Sequence, residues 1–175
     1  AMFYTITTPR QWGKSTFAIQ MMLYYAINEP NSNIMFTSLS YRQCSKVYRN
    51  FVRGIEKSGI IKAKNNTENS LTLINGSEIF FVSISTPDNL LGYDITYMFM
   101  DESSRYKKDT FERVLRPMLR TRGKKCFLIS TPAGKNWFYE MFVRGKENER
   151  YCSYIGKADD NPFSNKEEFE DARKI

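Results

Sequence analysis

Apolar residues fall along this chain in short runs separated by polar turns, and the runs alternate between strand-like and helix-like periods. Met2 to Thr7, β-branched and aromatic, predicts a first strand, and the polar turn Thr8-Pro9-Arg10-Gln11-Trp12-Gly13 follows it. From Lys14 to Asn28 apolar side chains stand at Phe17, Ile19, Met21, Met22, Leu23 and Tyr25, a helical run closed by Glu29-Pro30. Asn33 to Ser38 predicts a second strand, and Tyr41 to about Lys57 a second helix. Leu71 to Ile74 and Glu78 to Ile84, joined through Asn75-Gly76, predict a β-hairpin. Tyr97 to Met100 is a short apolar run, which suits a buried strand. Thr110 to Leu119 is helical in period with Pro117 near its end, Lys125 to Ser130 predicts a strand, and Asn136 to Val143 a helix. Tyr151 to Ile155 predicts a last strand, and Ser164-x-x-Glu167 behind Pro162 carries a capping-box signature for a terminal helix. Strands alternating with helices predict an α/β fold, a mostly parallel central sheet with helices on both faces and the hairpin appended. No internal repeat or second domain is visible, so 1–175 is expected to form one domain.

Composition narrows the chemistry. At 175 residues the chain is long enough to bury a sizeable core, and its 15% aromatic content argues against disorder. The longest nearly apolar stretch, Phe17 to Ile27, contains Gln20 and falls short of the roughly 20 residues a membrane span needs, so no membrane association is expected. Histidine is absent, which excludes Ser-His-Asp and Cys-His nucleophilic sites and His-ligated metals from within this chain. Cys44, Cys126 and Cys152 are odd in number and widely spaced, so neither a zinc cluster nor a disulfide framework is expected, and a reducing, cytosolic setting is. Lys and Arg outnumber Asp and Glu by 26 to 19, a net charge of +7 that is compatible with a polyanionic partner without requiring one.

Candidate chemistry lies in three stretches. Gly13-Lys14-Ser15, where the first strand turns into the first helix, fits the end of the P-loop pattern G-x-x-x-x-G-K-[ST], with Thr8 in the place of the first glycine. Backbone N–H groups at such a turn attract phosphate oxygens. Lys14 would reach the β- and γ-phosphates, and the Ser15 hydroxyl would ligate Mg²⁺. An ordinary helix start is the alternative. The apolar run Tyr97-Met98-Phe99-Met100 ends in Asp101-Glu102. Two carboxylates at the tip of a buried strand are costly unless neutralised. In a P-loop enzyme the first acid holds Mg²⁺ and the second polarises the attacking water; otherwise the strand has ended and both acids are solvated. Phe127-Leu128-Ile129 runs into Ser130-Thr131-Pro132-Ala133-Gly134, whose hydroxyls would sense a γ-phosphate or merely form a turn.

Taken in chain order, Thr8-Pro9-Arg10-Gln11-Trp12-Gly13-Lys14-Ser15-Thr16, Met98-Phe99-Met100-Asp101-Glu102-Ser103 and Ser130-Thr131-Pro132-Ala133-Gly134-Lys135-Asn136-Trp137-Phe138-Tyr139 resemble the ATPase domain of the large terminase subunit of tailed bacteriophages. The resemblance spans roughly Met2 to Ile175 and implies a P-loop NTPase that hydrolyses ATP with Mg²⁺ to drive double-stranded DNA into a procapsid. By position it implies ATP binding by Thr8, Pro9, Arg10, Gln11, Trp12, Gly13, Lys14, Ser15 and Thr16, with Ser15 and Asp101 on Mg²⁺. Glu102 would be the catalytic carboxylate, Arg10 would contact the γ-phosphate as a finger in cis, and Ser130, Thr131 and Pro132 would couple hydrolysis to movement. Leu90-Leu91-Gly92 stands where many relatives carry an Arg-Gly step, so no arginine role transfers there. Expected partners are double-stranded DNA, the portal, the small terminase subunit and further copies in a ring on the procapsid, in the host-cell cytoplasm. A monomer stays open for the isolated chain. The same resemblance implies a fragment, with the upstream adenine-binding segment absent or shortened, residues 159–175 opening a linker or terminal helix, and the nuclease domain not included.

Arg42, Lys46, Arg49, Arg53 and Lys57 recur at helical spacing, opposite Cys44, Val47, Tyr48, Phe51 and Ile55, with Glu56 off the stripe. They are either a solvated face or a single-signed surface for a DNA backbone. Arg113, Arg116 and Arg120 share another helical side, and one of these, or Arg105, would be available to a neighbouring subunit's ATP. A helicase-like ATPase and a non-catalytic nucleotide- or DNA-binding module stay open as alternatives. ATP-driven unwinding would mark the first and binding without turnover the second.

Overall fold

The computed structural model describes residues 1–10, 12–86, 90 and 92–156. Gln11, Leu91 and the Ser164–Glu167 capping box lie outside the described residues. The strands are β1 (Met2–Thr7), β2 (Asn33–Ser38), β3 (Ile61–Asn65), β4 (Ser70–Leu73), β5 (Glu78–Ser83), β6 (Tyr97–Asp101), β7 (Lys125–Ser130) and β8 (Tyr151–Ile155). They form one eight-stranded sheet in the order β3-β4-β5-β2-β6-β7-β1-β8. From β5 across to β8 all pairings are parallel, and the antiparallel β3-β4-β5 ribbon closes one side. The expected hairpin is β4–β5, turning where Gly76 has φ 87°. A Cβ there would meet the Asn31 side chain, so glycine is required for space as well as backbone.

Helices α1 (Lys14–Asn28) and α2 (Tyr41–Ile55) cover one face of the sheet. The Tyr106–Leu119 stretch and α3 (Trp137–Arg144) cover the other. Burial on both faces explains why β6 is apolar at four successive positions, Tyr97 to Met100. Parallel strands point their carboxyl ends the same way, and the register aligns them: Thr7 lies beside Ser130, and Ile129 beside Asp101. The three chemically marked segments therefore leave the sheet side by side, with β7 between the P-loop strand and the acidic strand.

One local expectation is corrected. Thr110–Leu119 is not a regular α-helix; it is a π-helical stretch, Thr110–Leu115, followed by a 3₁₀ turn, Arg116–Leu119. Pro117 removes one helical donor and crowds the preceding turn. The stretch is held instead by packing, with Phe111 stacked on Trp137 at 4.9 Å and Phe111, Leu115, Met118 and Leu119 all buried. Strand β3, four of whose five residues are exposed, was not anticipated, because an edge strand with little apolar alternation leaves no period-2 signal.

Candidate active site

The start of α1 is built as the turn sequence suggests. Gly13 takes a left-handed backbone (φ 93°, ψ 35°) at the N-cap, a conformation that costs any residue with a Cβ. Its carbonyl accepts from Phe17 N–H at 2.9 Å, and no acidic residue stands in the first turn of α1 to neutralise the free N–H groups. Thr8, in place of the first P-loop glycine, is buried and donates its N–H to the Ser130 carbonyl at 2.9 Å. Its hydroxyl has no partner among the described residues. Arg10, Ser15 and Thr16 are exposed at the mouth of the turn. Trp12 packs against Phe17 and lines an apolar groove of about 430 Å³ along α1, whereas Trp137 is buried and donates to the Tyr106 carbonyl at 2.7 Å.

Both carboxylates of the acidic strand face a cleft of about 480 Å³, with Ser15 on one wall and Lys46 and Asn50 of α2 on the other. Asp101 Oδ1 accepts from the Glu102 N–H at 3.0 Å. Burial pushes the Asp101 carboxyl above its ordinary pKa, and Glu102 adds to the rise, against the lowering effect of Lys14 and the Glu102 N–H. Glu102 itself is paired with Lys14, and Arg105 Nε lies 3.8 Å from its other oxygen. Glu102 holds a left-handed backbone (φ 54°), strain of about 1–3 kcal/mol that persists only where neighbours enforce it. The lysine of the turn and the second acid, 88 residues apart in sequence, thus meet directly.

Ser130 is fully buried, and its hydroxyl lies 2.7 Å from Ser104 Oγ. Thr131 is half-buried and Pro132 exposed. Ser104 donates to the Thr131 carbonyl at 3.0 Å, and Asn136 Nδ2 donates to the Ser104 carbonyl at 2.8 Å. Sequence reasoning passed over Ser104; its one signal was a pair of small hydroxyl residues directly behind the two acids.

The basic stripe on α2 is exposed, but it is neither one surface nor single-signed. Lys46 turns into the acidic cleft, whereas Arg49 and Arg53 line a second groove of about 530 Å³ between α2 and the β3–β4 ribbon. Glu56, the first residue of the 3₁₀ turn Glu56–Ser58, lines that same groove and lies 3.8 Å from Lys64. Among the remaining arginines, Arg116 donates to Tyr151 at 3.0 Å and stacks over Phe3, an engagement that keeps it in the protein's own packing. Arg113 lies 3.9 Å from Asp109 at an exposed position.

A parallel sheet, a glycine-capped strand-to-helix turn carrying a lysine, and an acidic pair ending a strand two places away make this chain a P-loop NTPase by fold. It belongs to the family described as "Terminase large subunit, T4likevirus-type, N-terminal", whose model matches residues 5–174. The chain is 29% identical over 178 residues to the large terminase subunit of Escherichia phage T5, covering 98% of this chain and 40% of that protein. It is 36% identical over 69 residues to the large terminase subunit of Thermus phage G20c, covering 39% of this chain and 14% of that protein. Among solved structures, the Thermus phage P74-26 large terminase ATPase domain superposes with a TM-score of 0.83 at 21% identity, covering 99% of this chain and 82% of that one. The large terminase of a thermophilic bacteriophage, in complex with ATP-gamma-S, superposes with a TM-score of 0.77 at 16% identity, covering 99% and 43%. The chain therefore spans less than half the length of the T5 relative.

Proposed function

We propose that this chain is the ATPase domain of a DNA-packaging motor, hydrolysing ATP with Mg²⁺ to drive double-stranded DNA into a viral procapsid. The observation that carries this reading is that Ser15, Asp101 and Glu102 line one cleft at the carboxyl edge of the sheet, with Lys14 paired to Glu102. The α1 turn would receive the triphosphate, its N–H groups and Lys14 taking the β- and γ-phosphate oxygens. Lys14 would exchange Glu102 for phosphate, leaving Glu102 free to orient the attacking water and accept its proton. Ser15 and Asp101 present the hard oxygen donors Mg²⁺ prefers, and such a site takes its other ligands from phosphates and water. When bound, that ion neutralises charge on the β- and γ-phosphates. Arg10, exposed beside the turn, would reach the γ-phosphate, and Thr8, Pro9, Gln11, Trp12, Gly13 and Thr16 would complete the nucleotide contacts. Arg42, Arg49, Arg53 and Lys57 would meet the DNA backbone, which needs charge but no base reading.

Complexes of the thermophilic phage's large terminase with ADP and with ATP-gamma-S support ATP as the ligand. Family membership supports the wider assembly, a ring of copies with portal and small subunit on a procapsid in the infected cell, and a match over residues 5–174 supports reading 1–175 as a single ATPase domain. Among the described residues no helix is long and apolar enough to cross a membrane. Mg²⁺-ATP binding and hydrolysis by wild type, Lys14→Ala and Glu102→Gln test the reading together. Lys14→Ala should weaken nucleotide binding by at least about tenfold, the loss of one charge-assisted hydrogen bond, while Glu102→Gln should bind and not turn over. Unchanged affinity in the first or full turnover in the second would sink the respective assignment.

A further inference from the structure

We propose that Ser104 is a positioning residue for Glu102, and that Ser130 acts through it instead of touching the nucleotide. The proposal rests on the ATPase reading above and adds to it the route from the β7 loop to the catalytic carboxylate.

Glu102 leaves β6 in a left-handed conformation and enters the 3₁₀ turn Ser103–Arg105. Neither its own strand nor a helix fixes its direction. The turn is instead fastened across to the end of β7 and the start of α3. Ser103 Oγ donates to the Ile129 carbonyl at 3.3 Å, and Asn136 Nδ2 donates to the Ser104 carbonyl at 2.8 Å. Ser104 Oγ lies 3.0 Å from the Thr131 carbonyl and 2.7 Å from Ser130 Oγ. A hydroxyl carries a single proton. The Thr131 carbonyl can only accept, so Ser104 donates to it and the Ser130 hydroxyl becomes the donor to Ser104. The chain of protons runs Ser130 to Ser104 to the Thr131 carbonyl. Ser103, Ser104 and Ser130 are all buried, so water does not replace a missing partner.

This arrangement leaves Ser130 no proton for a phosphate and gives it a mechanical role. A shift of the Thr131–Gly134 loop pulls on Ser104, and Ser104 is two residues from the carboxylate. The same link works in reverse: when Glu102 exchanges Lys14 for water, the turn moves and the loop follows. A misplacement of about 1 Å at a reacting group can cost about 100-fold in rate, which sets the scale of the expected effect.

The test is steady-state ATP hydrolysis by this chain with Mg²⁺, comparing wild type, Ser104→Ala, Ser104→Thr, Ser130→Ala and the Ser104→Ala/Ser130→Ala double variant. Affinity for a non-hydrolysable ATP analogue is measured alongside. Ser77→Ala removes another buried serine hydroxyl, bonded to the Ala26 carbonyl at 2.9 Å on the far side of the sheet, and controls for simple loss of stability. Expected are a fall in kcat of about 10- to 100-fold for Ser104→Ala, analogue affinity within about twofold of wild type, and partial rescue by Ser104→Thr. Ser130→Ala should resemble Ser104→Ala, and the double variant should be no slower than the worse single one, as for groups acting as a unit. Ser77→Ala should keep wild-type kcat. Unchanged kcat in Ser104→Ala, or strictly multiplicative losses in the double variant, would overturn the positioning role while leaving the ATPase reading intact. A wild-type chain that never hydrolyses ATP would defeat that reading, and this inference with it.

Discussion

Asp101 shows at the scale of one residue what burial does to a carboxylate. Its carboxyl sits at the end of a fully buried strand and is held above its usual pKa, first by burial and then by Glu102. A raised pKa means that the folded chain binds a proton which the unfolded chain, near 3.8, has already released. Its contribution to stability is thus present below pH 3.8 and lost as the pH rises through the raised value. At neutral pH the charged form is a cost that a bound cation would offset. Asp101→Asn keeps an acceptor for the Glu102 N–H and removes the charge, so it should melt at a higher temperature than wild type at about pH 7.5, well above the ordinary carboxylate range. The gap should narrow as the pH falls toward about 4, and scanning calorimetry across that range checks it. A lower Tm for the variant at neutral pH would show that Lys14 outweighs burial at this carboxylate. The pair Asp101-Glu102 was legible because an apolar run ended in charge. The Lys14–Glu102 contact was not, since the two groups are 88 residues apart and only the sheet order unites them.

At the scale of the element, helix α2 does more than its pattern reveals. Its start at Tyr41 and its apolar face were readable, although it ends at Ile55, short of the expected Lys57: Ser40 caps it by accepting from Gln43 N–H at 3.2 Å, and Cys44, Val47, Tyr48, Phe51 and Ile55 bury one face. A helical projection treats the opposite face as a single surface, however, and neighbouring elements divide it. Lys46 faces Asp101 and Glu102, whereas Arg49 and Arg53 face the β3–β4 ribbon. Charge reversal at Arg49 and Arg53 should therefore weaken duplex DNA binding and flatten its salt dependence. Each phosphate that is no longer neutralised lowers the log–log slope by about 0.9. Lys46→Ala should instead raise the KM for ATP with little change in that slope. Fluorescence anisotropy against salt concentration, paired with ATP kinetics, separates the two. Equal effects of Lys46 and Arg49 on DNA binding would restore the single stripe. Thr110–Leu119 likewise has the side-chain pattern of an ordinary helix. Its apolar spacing fits one, but Pro117 and the Phe111–Trp137 stack select π and 3₁₀ turns, and a side-chain pattern carries no record of hydrogen-bond register.

For the molecule as a whole, alternation of strands and helices was enough to predict a parallel sheet, yet the order β3-β4-β5-β2-β6-β7-β1-β8 is set by which faces find partners in three dimensions. That order puts β7 between the P-loop strand and the acidic strand, and so places the Ser130 loop against both. The cleft of about 480 Å³ is lined in part by the exposed side chains of Arg105 and Lys46, and it is open to solvent. An ATPase that excludes water poorly turns over slowly, and a neighbouring copy that closes the cleft would exclude it. Turnover per protomer should accordingly rise with protein concentration. The sharper measurement mixes wild type at limiting concentration with an excess of Glu102→Gln chains, which cannot hydrolyse ATP but keep the surface a neighbour would present. If one copy completes the site of another, these inactive chains should stimulate wild-type turnover several-fold. Stimulation that fails with an equal excess of an unrelated basic protein makes the effect specific. Constant turnover at every mixing ratio would mean that each cleft works alone.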